Sequence, residues 1–167
     1  MWDPSSLATP ANMSVWLRSD TGITTVAGAM TAWTDKSSNA NNASASGTGP
    51  AVSSGALNGY DTVNFNGSSN YMTIADAATL DLNAAGVSFI ALVKTTKSTA
   101  ASTQGLITKE STWNYSIKMD GSSQGSVSFS NGSSSDESTV TSSTSQPSGL
   151  VKLSDLFLAI SSASSLV

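Results

Sequence analysis

Apolar and polar residues alternate along much of this chain with a period of two. The stretch 59–74 is the clearest case. Val63 and Phe65 alternate with Thr62 and Asn64, as they do when one face of a sheet is buried. Asn66-Gly67 follows as a turn signal, since both residues tolerate the positive φ of tight hairpins. Ser68, Ser69 and Asn70 lengthen the loop, and Tyr71 and Met72 reopen an extended segment. The pattern predicts a hairpin: strand, turn, strand.

The same reading extends along the chain. Residues 14–18 (Ser-Val-Trp-Leu-Arg) predict a first strand, Asp20-Thr21-Gly22 a turn, and 23–26 a short extended piece. Residues 29–33 lead into a long loop through 34–50. Leu80 and Leu82, spaced by two, fit a short strand or a helical turn within 75–85. Residues 86–94 are almost continuously apolar and β-forming, which predicts a central strand buried on both faces. Strands are also expected at 105–109, at 113–119 with Trp113, Tyr115, Ile117 and Met119 on one face, and at 126–129, with Asp120-Gly121 as a turn between the last two. Residues 131–148, mostly Ser, Thr and Gly, read as a mobile loop or an exposed ribbon, and 153–160 as a last apolar strand. Helical periodicity is nearly absent. The expected fold is an all-β antiparallel sandwich, with residues 13–167 as one domain. Residues 1–12 form an arm punctuated by Pro4 and Pro10. Its large apolar groups, Trp2 and Leu7, either fold back on the domain or anchor into a neighbouring subunit, where buried aromatics are frequent hot spots.

Composition changes this picture in one respect. At 167 residues the chain is long enough for a core without disulfide staples, and it is 38% apolar but only 11% charged. Ser and Thr fill the gap at about a third of the chain, far above ordinary usage. Its surface is therefore polar but nearly uncharged. Seven basic and eleven acidic residues give a net charge of −4 with no basic cluster, which argues against nucleic acid and anionic membranes as partners. No apolar run approaches the ~18–20 residues of a membrane span. The start, Met1-Trp2-Asp3-Pro4-Ser5, lacks the basic and apolar regions of a signal peptide and reads as a native start.

Four segments together resemble the laminin-G-like or concanavalin-A-like jelly-roll domains. They are 15–23 (Val-Trp-Leu-Arg-Ser-Asp-Thr-Gly-Ile), similar to the family's opening strand and turn; 33–39 (Trp-Thr-Asp-Lys-Ser-Ser-Asn), similar to its Trp-x-Asp-x-Ser-Gly-Asn loop; 63–67 with Tyr71-Met72; and 89–94. The resemblance implies a jelly-roll sandwich that binds glycans or proteins through rim loops, sometimes with calcium, as found in bacteriophage structural proteins and secreted microbial adhesins. Family members continue with further strands beyond the segment matching 153–160, so a C-terminally trimmed fold or an edge completed by a neighbour is expected.

Candidate chemistry is sparse. With no histidine and no cysteine, imidazole-based triads, His-ligated zinc and thiolate nucleophiles are excluded. Jelly-roll glycosidases need two carboxylates flanking the sugar bond. The two glutamates here, Glu110 and Glu137, lie in or beside Ser/Thr-rich sequence, and Asp136 and Glu137 would point to opposite faces of a strand. The expectation is therefore a protein that is not an enzyme. No cofactor is required. Calcium is the one candidate ion, with Asp35, Asp61 and Asp120 as oxygen ligands, although each is also an ordinary turn former. Among aromatics that could stack on sugar, Trp16 and Trp113 read as core, and Trp33 and Tyr60 as the exposed pair. Asn12, Asn42, Asn66, Asn114 and Asn131 fit Asn-x-Ser, a match that follows almost automatically from the serine content.

The leading expectation is a non-enzymatic virion structural protein, a bacteriophage capsid decoration or fibre component displayed on the particle surface. Its partners would be other virion proteins or copies of itself. The alternative is a glycan-binding module of a secreted or cell-surface protein, located outside the cell.

Overall fold

The computed structural model describes residues 12–81, 89–93, 104–109, 114–119, 125–130 and 138–141. The chain divides into two compact units, Met1–Asp81 and Leu82–Val167. Both are built from antiparallel strands. The expected strand at 153–160, the Asp120-Gly121 turn and the arm with Trp2 and Leu7 lie outside the described residues.

The first unit holds β1 (Ile23–Val26), β2 (Ala29–Trp33), β3 (Ala43–Ala45), β4 (Ala51–Leu57), β5 (Tyr60–Asn64) and β6 (Met72–Ile74). Two hairpins set its register. Ala27 and Gly28, at φ 50° and 84°, join β1 to β2 with Val26 opposite Ala29. Asn58 and Gly59, at φ 50° and 85°, join β4 to β5 with Leu57 opposite Tyr60. Two central residues with positive φ make a type I′ turn, whose twist matches that of paired strands.

The register then places the remaining strands. Ala32 pairs with both Thr24 of β1 and Ser44 of β3, while Ala29 pairs with both Val26 of β1 and Ala51 of β4. β3 and β4 therefore follow one another along the same edge of β2, opposite β1. Beyond them, β6 pairs with β3 and β5 with β4. The two interruptions, residues 46–50 and 65–71, face each other across the sheet. Asn70 Nδ2 donates to the Thr48 carbonyl at 2.8 Å, and the Tyr71 hydroxyl donates to Ser46 Oγ at 3.0 Å.

This corrects the expected hairpin at 59–74. The strand, loop and strand are present, but β5 and β6 do not pair with each other. β5 is already claimed by β4 through the Asn58-Gly59 turn, so the Asn66-Gly67 loop carries the chain onward along one edge instead of reversing it. Three strands of this unit fall outside the predicted strands: β2 occupies 29–33, expected only to lead into a loop, β3 lies within the expected 34–50 loop, and β4 just after it. Of the segment 75–85, the described residues 75–81 hold a 3-10 helix at Ala78–Leu80, and Leu82 lies outside them.

Residues 14–18 are not a strand. They form a strap held mainly by side chains of the following loop, because Asp35 supplies the acceptor that a neighbouring strand would have supplied. The core of this unit is thin. Among the described residues its buried apolar side chains are Met30 and Ala43, with Pro50 beside them. The Met30 N–H donates to the Pro50 carbonyl at 2.8 Å. A Cβ on Gly49 would lie 1.8 Å from the Met30 carbonyl oxygen, so only glycine allows this approach.

The second unit is a meander of β7 (Gln104–Lys109), β8 (Asn114–Met119), β9 (Gly125–Ser130) and β10 (Ser138–Thr141) in sequence order. The strands expected at 105–109, 113–119 and 126–129 are found here, and the Ser/Thr-rich ribbon supplies β10. The register sets Ile107, Ile117, Val127 and Val140 in one row across all four strands. Ile117, flanked by strands on both sides, is fully buried. The expected central strand at 86–94 is not seen at 89–93, which is not in a strand. There Ile90 and Leu92 are 59% and 64% exposed, while Phe89, Ala91 and Val93 are half-buried. An apolar run alone does not distinguish burial on two faces from burial on one.

Candidate functional site

Two regions gather polar and aromatic side chains, the loop after β2 and the outer strand pair β5 and β6. In the first, β2 delivers Asp35 to the bottom of a polar knot. Asp35 Oδ1 accepts the Trp16 N–H at 2.7 Å and the Ser37 N–H at 2.9 Å. Oδ2 accepts the Ser37 hydroxyl at 2.5 Å and the Asn41 N–H at 2.9 Å. The Asp35 N–H in turn donates to Asn42 Oδ1 at 2.9 Å. Asn41, also buried, donates from Nδ2 to the Ser14 carbonyl and to Thr79 Oγ1, both at 2.9 Å. Asn39 Nδ2 reaches the Met13 carbonyl at 2.7 Å. The knot thereby ties together the strap, the loop and the 3-10 helix.

Burial pushes the Asp35 carboxyl up. The hydrogen bonds from the Ser37 hydroxyl and from the Ser37, Trp16 and Asn41 N–H groups outweigh this and hold its pKa below the ordinary value. Asp35 is thus a carboxylate with both oxygens engaged by protein donors. A calcium ion there would have to displace those bonds. Asp61 lies in β5, where Oδ1 accepts the Ser54 hydroxyl and the Gly55 N–H, both at 2.9 Å, across the bulge of β4. Asp120 lies outside the described residues. Among the described residues no three acidic, His or Cys side chains come together as a metal site.

Trp33 is half-buried, and its indole N–H donates to the Arg18 carbonyl at 2.7 Å, fixing the ring against the strap. Arg18 forms a two-bond fork to Asp20, at 2.9 and 2.6 Å, and its guanidinium carbon stands 5.9 Å from the centre of the half-buried Trp16 ring. Both distances suit a charge-assisted pair and a cation–π contact. Tyr60 opens β5 and is 44% exposed. Trp33 and Tyr60 are not brought together, because β4 lies between their strands.

What sequence reading missed lies around Tyr60. Phe65 and Tyr71, which bracket the 65–71 loop, are 49% and 52% exposed. With Tyr60 they place three exposed aromatics along the path of β5, the 65–71 loop and the start of β6. Among the described residues, no strand covers the outer edge of β5 or β6. The available signal was Asn58-Gly59: once that turn is recognised, β5 belongs to β4, and 59–74 becomes an outer edge. Among the described residues no helix is long and apolar enough to cross a membrane. Comparison of the chain with protein-family models, with curated proteins and with solved structures found no match.

Proposed function

We propose that this chain is a non-enzymatic virion structural protein, a bacteriophage capsid decoration or fibre component displaying a jelly-roll domain of the laminin-G-like or concanavalin-A-like kind. The observation that carries the reading is the exposed aromatic set of Tyr60, which opens β5, and Phe65 and Tyr71, which bracket the loop joining β5 to β6 at the outside of the sheet. Aromatics at a sheet edge supply both the backbone groups and the apolar anchors that a neighbouring subunit needs. The weakly charged surface suits dense packing of many copies, and the resemblance of 15–23 and 33–39 supplies the viral context.

Sedimentation of the whole chain tests this. Self-association, or binding to phage particles, is expected, and the triple variant Tyr60→Ser, Phe65→Ser, Tyr71→Ser should abolish it. A strict monomer that leaves particles untouched overturns it. The same aromatics favour the second reading, a glycan-binding module, through stacking on sugar rings. A monomer whose glycan binding is lost on Tyr60→Ala would establish that reading instead.

A further inference from the structure

The geometry points to Asn66 as a self-modifying residue, in which the loop that holds its side chain promotes attack of the Gly67 backbone nitrogen on the Asn66 side-chain amide. Asn66 Oδ1 accepts three consecutive backbone N–H groups, from Ser68 at 3.0 Å, Ser69 at 2.9 Å and Asn70 at 3.1 Å. Those donors also fix which amide atom is the oxygen. Nδ2 donates to Ser69 Oγ at 3.0 Å. The Asn66 N–H donates to Asn70 Oδ1 at 3.2 Å, and Asn70 is tied through Nδ2 to the carbonyl of Thr48. The amide is held from both ends.

Three preorganised N–H groups aimed at one carbonyl oxygen form an oxyanion hole. When the Gly67 nitrogen bonds to Asn66 Cγ, negative charge develops on Oδ1, where the donors already stand. Gly67 contributes no side chain to obstruct its own nitrogen, and a Cβ there would meet nothing within 4 Å. The amide proton of Gly67 passes to solvent. The nitrogen of the leaving group becomes basic in the tetrahedral intermediate, takes a proton from the Ser69 hydroxyl, which is replenished from water, and departs as ammonia. A five-membered succinimide remains. Water then opens it at either carbonyl, giving aspartate or isoaspartate, so the net change is the gain of one water and the loss of one ammonia. In the aspartate product the three N–H groups face a carboxylate, a stronger bond than the amide made.

The chain carries its own control. Asn58-Gly59 is a second exposed Asn-Gly pair with positive φ at glycine, but it forms a two-residue turn without this ring of donors. The test is peptide mapping by mass spectrometry of the whole folded chain held at neutral pH and body temperature, with a parallel sample in concentrated urea. In the folded chain Asn66 is expected to convert at least about threefold faster than Asn58, the preorganised donors being the difference. In urea the two rates should converge. Ser69→Ala keeps the Ser69 N–H and removes the hydroxyl that accepts from Nδ2 and relays the proton, so it should slow Asn66 and leave Asn58 unchanged. Ser69→Thr, which keeps the hydroxyl, should restore the rate. Conversion at Asn66 no faster than at Asn58 in the folded chain, or a preference that persists in urea, overturns the inference.

Discussion

Asp35 closes a two-bond clasp on Trp16. Its carboxylate accepts the Trp16 N–H at 2.7 Å, while the next residue, Lys36, donates its N–H to the Trp16 carbonyl at 2.8 Å. Both backbone groups of Trp16 are satisfied as they would be in a ladder, with a side-chain oxygen replacing a main-chain one. The segment before β1 therefore stays extended without being a strand, and the carboxylate of one residue decides whether it stays in place.

Asp35→Ala is expected to destabilise the first unit by about 2–4 kcal/mol, because it orphans several donors at once in a buried setting. Urea unfolding followed by tryptophan fluorescence measures the loss. Hydrogen exchange should show the amides of Trp16 and Asn41 losing protection first.

Acid should act through the same carboxylate. The folded pKa of Asp35 lies below its ordinary value of 3.8. Its contribution is therefore complete above that value and disappears as pH falls through the lower, folded one. Asp20, held down first by its hydrogen bond from Arg18, adds to the same trend with the same sign. Urea midpoints measured across the acid range should be flat from neutral pH to mildly acid, then decline. Asp35→Asn should begin lower and decline less steeply.

Gly49→Ala should cost about 2–4 kcal/mol, since its Cβ would stand 1.8 Å from the Met30 carbonyl oxygen and force the backbone of β2 away from residues 49 and 50. Gly47, at φ 77° with nothing within 4 Å, should cost about 1–2 kcal/mol on the same substitution. The contrast, read from thermal midpoints, separates a clash from simple backbone strain.

Ala27 occupies a left-handed position, φ 50°, in the β1–β2 turn, although it carries a Cβ. Ala27→Asn, a residue at ease there, is expected to stabilise the unit by about 0.5–1 kcal/mol. A rise in the urea midpoint with unchanged slope would demonstrate it.

Local pattern marked 23–26 as extended and 105–109, 113–119 and 126–129 as strands, where β1, β7, β8 and β9 lie, with the clearest alternation in β8; it did not mark β2, read only as a lead into the following loop. It misjudged 14–18, where the same alternation is present but Asp35, Asn39 and Asn41 supply the partners from across a loop. No local pattern announces that substitution. β3 is Ala-Ser-Ala and β4 is mostly small residues, too weakly apolar to alternate visibly; only the turn after β4 marks them. The hairpin at 59–74 failed for a different reason: Asn-Gly occurs twice within ten residues, and which copy reverses the chain depends on pairings made elsewhere. Of the proposed site residues, Tyr60 was legible as exposed, whereas Phe65 and Tyr71 became candidates only when β5 and β6 were found at the outside of the sheet.

The strap has a mechanical consequence. A pull on the chain at Met13 meets attachments at the Ser14 carbonyl, both backbone groups of Trp16, the Arg18 carbonyl and, through its hydroxyl to the Asp61 carbonyl, Ser19. They recur at nearly every second residue and end on a loop, on β2 and on β5. Tension drawn along the strap is shared among them in shear rather than peeled from one bond to the next. Under such a pull, load passes through Asn41, Ser37 and Asp35 into the loop and, through the Trp33 indole and the Asp61 carbonyl, into β2 and β5 at the same time.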